Sequence, residues 1–359
     1  MSFHLLVCIS AHGFGHLAMT APVINRLAEK YQIKITIRTQ LPKALVRELI
    51  TAEVTLLDEA SDFGMIMKSA LEVDLSASQK QYSELHIHWN ERVLQEAQAI
   101  KLLQPDLVLS NVPYLPLAAA NKLGIPSIAY CSLNWADIYE SYFGSEDSDS
   151  KKIIKEIRDA YQAADCFVCP EPSMPVAWAD NKKTIGPVAQ LGENRKAVIC
   201  QHLALPEQIR LVLITPGGID TRFEISHWSK RADVHWLISG DVEGQRNDFT
   251  HVADVPFSFN QILSSCDAVI CKPGYGTVAD TTCNNIPVLY VPRGDWAEEK
   301  FLVKWWREHG RVAAITRQQF FGGNVLNDLD QLWSMPQPEK TLPTGIDELV
   351  SIISKYIQR

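Results

Sequence analysis

The sequence predicts an α/β protein made of two doubly wound domains, each built on a parallel sheet. Short, continuously apolar segments alternate along the chain with amphipathic segments of helical period. Continuous apolar strands are typical of parallel sheets, which are covered on both faces and need helical crossovers between neighbouring strands. The chain has 359 residues, which fits two hydrophobic cores better than one.

The first half begins with the order strand, helix, strand, helix, strand that defines a doubly wound sheet. Its first strand enters a glycine turn, and a helix then runs to about residue 30. Residues 59–88 are predicted to form a loop with helical pieces, and residues 144–150 a solvated loop. The predicted strands are residues 3–10, 34–38, 54–57, 104–110, 127–130 and 166–169, and the further predicted helices are residues 44–50, 89–103, 115–123 and 151–164.

The second half repeats this plan, since each half opens with strand, glycine turn and helix. Proline and polar residues between positions 170 and 192 mark the connection between the halves. We expect a first domain of residues 1–185, a second domain of residues 186–345, and a C-terminal helix within residues 346–359 that packs back on the first domain. The predicted strands of the second half are residues 211–215, 234–239, 267–271 and 288–291, and a short helix covers residues 259–264.

Composition and charge exclude several classes of protein. The net charge of −8 argues against nucleic-acid binding, which uses a basic surface. No apolar segment reaches the roughly 18 residues that a membrane-spanning helix needs, and the first residues lack the basic region of a signal peptide. The eight cysteines lie mostly in apolar strand-like segments, which favours reduced thiols and a cytoplasmic location.

No metal site or cofactor is expected. Cys166 and Cys169 form a C-x-x-C pair, but no second pair follows at zinc spacing. His86 and His88 lie in a polar segment and are expected to face solvent. The acidic run at residues 144–150 is typical of a solvated loop rather than of a site for a divalent ion. The sequence does not indicate an oligomeric state.

A glycine turn in the second half has the features of a phosphate site. Thr277 is predicted to cap the helix that follows the turn, and the backbone N–H groups of a helix N-terminus favour an anion. Lys272 adds a full positive charge, and Asp280 is placed to accept hydrogen bonds from ribose hydroxyls. An ordinary strand-to-helix crossover is the alternative. The turn consists of Lys272, Pro273, Gly274, Tyr275, Gly276 and Thr277.

A second polar cluster follows the next strand, which makes the phosphate site the preferred interpretation. This cluster covers residues 293–299, with the sequence RGDWAEE. The carboxyl ends of parallel strands lie at one edge of a sheet, and ligands of open α/β sheets bind at that edge. The two polar segments therefore indicate a site for a nucleotide diphosphate.

The glycine turn of the first half carries two histidines, His12 and His16, around Gly13 and Gly15. A histidine between a strand's carboxyl end and a helix is placed to take a proton near neutral pH. A structural or helix-capping histidine is the alternative. Dinucleotide binding is disfavoured because the turn lacks a third small residue, and because residues 38–40, at the end of the second strand, include no acid.

Two such halves resemble the GT-B glycosyltransferases, in which two Rossmann-like domains face each other across a cleft. Residues 274–280, GYGTVAD, are similar to the G-W-N-S-x-x-E part of the UDP-glycosyltransferase signature, and Asp295-Trp296 falls near that family's later D-Q pair. The glycosyltransferase-like portion of plant arabinokinase-type proteins is closer still. Its G-Y-G-T-V-x-E, x-E-E-x-F-L and G-H-G-F-G-H patterns are matched by residues 274–280, 298–302 and 11–16, the last with one change.

The resemblance implies a role for each matching residue. Lys272 and the turn from Gly274 to Thr277 would hold the diphosphate, and Asp280 would bind the ribose. His16 would be the catalytic base, with His12 as the competing candidate. The remaining implied contacts are those of Gly217 and Gly218 with the phosphates, of the backbone near Phe257 with the nucleobase, and of Asp295, Glu298 and Glu299 with the donor sugar.

The chain departs from the family pattern at two positions that matter. In plant members an aspartate five positions after the P-D of a strand activates the histidine. Here that position is Asn111, which cannot stabilise an imidazolium by charge. Either another carboxylate serves, or the base is weaker. Trp296 stands where the family's D-Q pair has glutamine, so the resemblance does not imply which sugar is bound.

The predicted function is a cytoplasmic, metal-independent, inverting glycosyltransferase with a small-molecule nucleotide diphosphate sugar, such as a UDP-sugar, and a small-molecule acceptor. One alternative is a nucleotide-sugar 2-epimerase. Another is a non-catalytic nucleotide-sugar-binding protein. Asn111 in place of the family's aspartate, and Asp280 in place of the longer glutamate, favour this alternative. Four aromatic residues are candidates for an acceptor-stacking surface, with core packing as the alternative: Tyr82, Trp89, Trp135 and Tyr139.

Overall fold

The computed structural model describes residues 2–69, 72–215, 223–240 and 242–358. The chain divides into two compact units. The first comprises Met1–Lys68, Glu72–Val188 and Thr344–Arg359, and the main part of the second is Ala189–Pro343. Each unit is built on one large parallel sheet, so the predicted α/β class is confirmed.

Up to Val188, the chain forms nine strands and seven helices within the described residues. The strands are β1 His4–Ile9, β2 Lys34–Thr39, β3 Thr55–Asp58, β4 Met67–Ser69, β5 Glu72–Val73, β6 Leu107–Asn111, β7 Ser127–Tyr130, β8 Cys166–Pro170 and β9 Lys182–Ile185. The helices are α1 Gly15–Lys30, α2 Lys43–Leu49, α3 Leu75–Ile87, α4 Trp89–Leu103, α5 Leu115–Leu123, α6 Trp135–Phe143 and α7 Ser148–Gln162.

The first sheet has the order β3-β2-β1-β6-β7-β8-β9, and all its neighbouring strands are parallel. All six residues of β1 are buried, as expected for a strand covered on both faces. The strand order reverses between β1 and β6, and Ile9 pairs with Asn111 across this switch point. In open α/β sheets, ligands bind at the carboxyl ends of the strands beside such a reversal.

The second unit has a similar parallel sheet with the order β14-β12-β10-β15-β16-β17. Its switch point lies between β10 and β15, where Thr215 pairs with Cys271. The strands are β10 Arg210–Thr215, β11 Phe223–Glu224, β12 Val234–Ile238, β13 Val242–Glu243, β14 Phe249–His251, β15 Ala268–Cys271, β16 Val288–Tyr290 and β17 Val312–Ala314. The helices are α8 Lys196–His202, α9 Phe259–Ser265, α10 Tyr275–Cys283, α11 Glu299–His309, α12 Arg317–Gly322 and α13 Leu326–Ser334.

The last helix, α14 Gly345–Ile357, belongs to the first unit and packs against α1 and β9. Its first residue, Gly345, lies so close to Gly186 that an added Cβ would stand 2.1 Å from the Gly186 carbonyl oxygen. Asp347 forms exposed ion pairs with Arg26 at 3.1 Å and Lys30 at 2.9 Å. Exposed pairs contribute little, so close backbone packing and buried apolar side chains hold α14 in place.

Several segments differ from the structure predicted for them. Residues 75–87, within the segment predicted as a loop with helical pieces, form the continuous helix α3, which begins where the Asp74 carboxylate accepts a hydrogen bond from the Ala77 N–H at 3.0 Å. Helix α7 begins within the predicted loop 144–150, because Asp147 caps it in the same way. The predicted connection at 170–192 includes the edge strand β9, and residues 223–233 form β11 and turns rather than the helix that a repeated plan predicts.

Candidate functional site

The first candidate site lies at the switch point of the first sheet, where β1 leads into the glycine turn. Gly13 adopts a left-handed conformation with φ +84°, which a side chain would disfavour, and α1 begins two residues later. This turn places His16 in the first turn of α1, with only 6% of its surface exposed. The histidine therefore lies where the carboxyl ends of the strands meet a helix N-terminus, as the sequence predicts.

His16 and Asn111 are neighbours although 95 positions separate them in the chain. The His16 Nδ1 atom lies 3.0 Å from Asn111 Oδ1, and the Cys131 Sγ atom lies 3.7 Å from the same nitrogen. Asn111 is the last residue of β6 and is completely buried. An uncharged amide thus occupies the position where the resemblance expects an aspartate.

Burial lowers the pKa of His16 from 6.5 to about 4, and the hydrogen bond to Asn111 opposes the shift only in part. The imidazole is therefore neutral at pH 7. A neutral imidazole has one nitrogen with a free lone pair and can accept a proton from a bound hydroxyl group.

A buried carboxylate that the sequence analysis did not single out, Asp62, belongs to the same cluster. Its Oδ2 accepts a hydrogen bond of 2.7 Å from the indole nitrogen of Trp135, whose ring contacts His12 and lies 6.2 Å from the ring of His16. Burial raises the pKa of Asp62 from 3.8 to about 6, against the opposing hydrogen bonds from Ser10 and Trp135. Strongly shifted acids are typical of functional sites.

The loop that carries Asp62 is held from both sides. The buried guanidinium of Arg38 donates to Ser61 Oγ at 2.9 Å and forms an ion pair with Glu96. Gly64, at φ +60°, packs so tightly on His12 that an added Cβ would stand 2.8 Å from the ring. Arg38 thus has a structural role on the second strand. No sequence pattern marks Asp62, because its burial comes from Trp135, 73 positions away.

Of the two interpretations of the four aromatic residues, an acceptor-stacking surface or core packing, core packing is correct for three of them. Tyr82, Trp135 and Tyr139 are at most 1% exposed and form part of the core, because their rings pack on one another and on neighbouring histidines. The expectation that His86 faces solvent is wrong. Its ring is buried, with Nδ1 2.8 Å from Glu156 and Nε2 3.0 Å from the Tyr114 hydroxyl.

The second candidate site lies at the switch point of the second sheet, where β15 ends and Lys272 follows. Helix α10 begins at Tyr275 with Gly274 as its N-cap, and no side chain caps it. Thr277, predicted to be the cap, lies inside the helix, because Gly274 already has the extended conformation that a cap residue needs. A Cβ added to Gly274 or Gly276 would meet no atom within 4 Å, so a ligand can approach this backbone closely.

Burial lowers the pKa of Lys272 from 10.5 to about 8, and the positive charge of Arg293 adds to the shift. Among the described residues, no carboxylate forms an ion pair with Lys272. Arg293 follows β16, the neighbouring strand, and stacks at 4.6 Å on the ring of Trp296. The positive charges of Lys272 and Arg293, near a helix N-terminus without a side-chain cap, form an electrostatic environment that favours an anion.

Asp280, the predicted ribose ligand, already uses one carboxylate oxygen within the protein. Its Oδ1 accepts a hydrogen bond of 3.0 Å from the Gln190 N–H, while Asn284 Nδ2 donates to the Gln190 carbonyl at 3.0 Å. Burial raises the pKa of Asp280 from 3.8 to about 7, against the effect of the Gln190 hydrogen bond. Within the described parts of the chain, no side chain or backbone group donates a hydrogen bond to the second carboxylate oxygen.

The three residues predicted to bind the donor sugar have different environments. Glu299 accepts a hydrogen bond of 2.9 Å from the Arg293 N–H, and Glu298 accepts one of 3.1 Å from the Trp296 indole, so both buried glutamates hold the loop. Asp295 at the loop's tip is exposed. Phe257 is half-buried beside α9, and Gly217 and Gly218 lie outside the described residues.

All eight cysteines are free and buried, Cys166 and Cys169 included. In the part of the chain that the structure describes, no group of three or more His, Cys, Asp or Glu side chains could hold a metal ion. None of the described helices is long and apolar enough to cross a membrane.

Comparison with known proteins agrees with this fold. No family model matches the chain. L-arabinokinase from Arabidopsis thaliana is 24% identical over 312 residues, which cover 82% of this chain but only 28% of that protein's length. Among solved structures, CalG4, the calicheamicin glycosyltransferase, has a TM-score of 0.62 at 12% identity, with 100% of this chain and 99% of that chain covered. A candidate UDP-N-acetylglucosamine 2-epimerase from Listeria monocytogenes has a TM-score of 0.59 at 12% identity, over 100% and 97%.

These similarities extend over both units of the chain. At such low identity they show the fold alone, which is that of the GT-B glycosyltransferases. The resemblance that the glycine turns and strand order predict is therefore confirmed for the fold.

Proposed function

We propose that the chain is a glycosyltransferase that moves a sugar from a nucleotide diphosphate sugar to an acceptor hydroxyl, with His16 as the general base. The observation that carries the proposal is the neutral imidazole of His16, buried at the switch point with Nδ1 engaged by Asn111. A buried histidine with one nitrogen fixed and the other left for a ligand has the arrangement that general-base catalysis needs.

In the proposed reaction, the acceptor oxygen forms a bond to the anomeric carbon as its proton passes to His16. The bond between that carbon and the donor phosphate breaks, and the nucleoside diphosphate leaves with the electron pair. This single displacement inverts the anomeric centre, and no step in it requires a metal ion. Because the pKa of His16 in the ligand-free protein is about 4, the protonated side chain then releases its proton to solvent readily.

The donor site in this proposal is the switch point of the second sheet. Lys272 and the first N–H groups of α10 would stabilise the charge that develops on the leaving diphosphate. The second carboxylate oxygen of Asp280 would accept a hydrogen bond from a ribose hydroxyl, and the backbone near Phe257 would contact the nucleobase. Gly217 and Gly218 keep their proposed phosphate contact, and the exposed Asp295 is placed to contact the donor sugar.

The first test separates nucleotide binding from catalysis. Thermal unfolding is followed with UDP, dTDP and GDP for the wild type, Lys272→Ala, His16→Ala and the exposed-histidine control His202→Ala. A ligand at one hundred times its Kd adds about 2.7 kcal/mol of stability, which raises Tm by several degrees. We expect one diphosphate to raise Tm in all proteins except Lys272→Ala. The proposal fails if no nucleotide diphosphate changes the Tm of the wild type.

The second test measures transfer. Sugar donors of the nucleotide that binds are incubated with a panel of hydroxyl-bearing acceptors, and products are detected by mass spectrometry. Loss of a general base typically costs about 10²–10⁴-fold in rate. His16→Ala is expected to lose transfer by that factor while keeping the Tm increase, and His202→Ala to keep both. Full glycosyl transfer by His16→Ala would mean that His16 is not the general base. His12 would then be the candidate, which the His12→Ala variant tests.

A 2-epimerase is the second candidate, because a protein of similar fold carries that description. Epimerisation breaks and re-forms the C2–H bond of the sugar and needs no acceptor. Enzyme and donor alone in D₂O would therefore give deuterium at C2 of the donor, which a transferase does not produce. If a nucleotide binds but neither reaction occurs, the chain is a nucleotide-sugar-binding protein.

We also propose a cytoplasmic location. The support for it is that all eight cysteines are buried as free thiols, which fits a reducing compartment. Fractionation of cells that express the tagged chain tests this directly.

A further inference from the structure

A chain of buried hydrogen bonds surrounds the imidazole of His16. The Thr20 hydroxyl donates to the His16 carbonyl at 2.7 Å, one turn earlier in α1. Asn111 Nδ2 lies 2.9 Å from the Thr20 hydroxyl oxygen, and Asn111 Oδ1 lies 3.0 Å from His16 Nδ1. Thr20 and Asn111 are completely buried. Solvent therefore does not compete for these bonds.

The chemistry of the groups gives each bond a direction. A backbone carbonyl only accepts, so the single proton of Thr20 goes to the His16 carbonyl. The Thr20 oxygen is then an acceptor, and the group beside it has to be the donor NH₂ of Asn111 rather than its oxygen. The oxygen of Asn111 consequently faces His16 Nδ1, and that nitrogen carries the proton.

We propose that Thr20 and Asn111 are positioning residues that hold His16 as its Nδ1–H tautomer, with Nε2 as the basic nitrogen. The proposal rests on the proposed function only for the use of Nε2 as the base. In this arrangement the partner of His16 is the uncharged amide of Asn111. The amide fixes which nitrogen is basic and how the ring is oriented, while an aspartate would in addition stabilise the imidazolium.

The opposite orientation of Asn111 conflicts with its surroundings. Its oxygen would then face the Thr20 oxygen, whose proton is already donated, and the His16 carbonyl oxygen, 3.4 Å from the present Nδ2. Two acceptors would face the amide oxygen in a completely buried site. Leaving buried polar groups unpaired in this way disfavours the flipped amide, and with it the Nε2–H tautomer, by about tenfold or more.

Among the described residues, no strong donor other than the imidazole itself lies beside Nδ1 to reverse this choice. Cys131 Sγ lies 3.7 Å from Nδ1, and a thiol is a weak donor compared with an amide or hydroxyl. The Trp135 ring lies 6.2 Å from the imidazole, with its own N–H directed to Asp62. The tautomer of His16 is therefore decided by Asn111 and, through it, by Thr20.

The experiment is long-range ¹H–¹⁵N NMR of the histidine side chains in the ligand-free, ¹⁵N-labelled chain, with His16→Ala to assign the signals. We expect His16 to show a protonated Nδ1 and an unprotonated Nε2. In Thr20→Val, Asn111 loses the acceptor that orients it, so the Nε2–H tautomer should rise from under about a tenth to a comparable population. Thr20→Ser should restore the wild-type spectrum.

A matched control is Thr36→Val, which removes another buried hydroxyl beside a histidine in the same unit. Thr36 Oγ1 lies 2.8 Å from His4 Nε2, so this variant should change the signals of His4 and leave those of His16 unchanged. A wild-type His16 protonated at Nε2 would overturn the proposal. So would a Thr20→Val spectrum identical to that of the wild type.

Asn111→Asp provides a second measurement if Thr20→Val does not fold. A carboxylate accepts through either oxygen, so the tautomer stays Nδ1–H, while its charge moves the titration of His16 to higher pH. An unchanged titration would show that residue 111 is not the partner of the imidazole. The spectra report the free protein, so they stand or fall independently of the transfer assay that tests the proposed function.

Discussion

The indole nitrogen of Trp135 donates a hydrogen bond of 2.7 Å to Asp62, and this bond places a buried carboxylate in the cluster around His12 and His16. Asp62 lies in a segment whose sequence predicts a loop. Trp135 is completely buried, and burial raises the pKa of the carboxyl group to about 6. The charged form of Asp62 lowers the stability of the folded protein, so the effect of removing the charge can be tested by substitution.

Asp62→Asn is expected to stabilise the protein at neutral pH. The folded pKa of Asp62 lies above its unfolded value of 3.8, so stability from this group is present at low pH and is lost as pH rises from about 4 to about 6. The asparagine oxygen still accepts from Trp135 without a charge. Urea unfolding should therefore show a gain of up to about 3 kcal/mol at pH 7.5 and a smaller one at pH 4.5.

The control for this prediction is Asp58→Asn, since Asp58 is exposed and forms only a surface ion pair with Lys43. An equal effect of both substitutions, or a loss of stability in Asp62→Asn at pH 7.5, would contradict the burial argument. A gain of stability combined with a loss of transfer would mark Asp62 as functional, because structure and activity would then make opposite demands on the residue.

Gly64→Ala should destabilise the protein more than Gly124→Ala. Both glycines have a positive φ, +60° and +67°, so alanine is strained by a similar amount at each. Only at Gly64 does the added methyl group meet the His12 ring, at 2.8 Å, whereas at Gly124 it meets no atom within 4 Å. The excess cost is expected to be about 1–3 kcal/mol by urea unfolding. Equal costs would mean that the 59–66 loop moves freely away from His12.

UDP binding, if UDP is the nucleotide that binds, should weaken above pH 8. The pKa of Lys272 is lowered to about 8 in the free protein, so the ammonium loses its proton as pH rises through that value. Between pH 7 and pH 9.5, the Kd from calorimetry should rise by roughly tenfold or more. Lys272→Arg keeps its charge and should show a flat profile. A flat profile in the wild type would remove Lys272 from the phosphate site.

Asp280→Asn should raise stability and lower nucleotide affinity. The folded pKa of about 7 exceeds the unfolded value, so the cost of the charged carboxyl appears as pH rises from about 4 to about 7. At pH 8 the asparagine variant, which still accepts from the Gln190 N–H, should be more stable than the wild type by roughly 1–3 kcal/mol. Asp280→Ala loses that acceptor and should be less stable than Asp280→Asn. Unchanged affinity in Asp280→Asn would exclude the ribose contact.

Much of the fold follows from local patterns. The strand β1 is predictable because a continuous apolar run needs cover on both faces, and α4 and α5 have the predicted bounds because their helical period is clear. The full extent of α3 and the start of α7 at Ser148 are not predicted, because an aspartate cap begins each helix in a polar context. A cap is one side-chain contact, and composition averaged over a segment does not reveal it.

The candidate sites divide in the same way. Glycine turns after apolar strands identify both switch points, and the resemblance to the plant proteins implies that Asn111, five positions after Asp106, lies beside His16, as the structure shows. Glu298 and Glu299 looked equally suited to a ligand in the sequence. Only the fold shows that both are turned inwards to hold their loop, since Trp296 and the Arg293 backbone are their donors.

The sequence by itself determined the α/β class, the two glycine turns and the residue types offered at each strand end, because these depend on neighbours within a few positions. The tertiary structure decided which of these groups are charged. Desolvation by residues far away in the chain sets the pKa of His16 and Asp62, and contacts across 95 and 73 positions set their partners. Protonation is a property of the surroundings in space, so it appears only once the strands have been brought together.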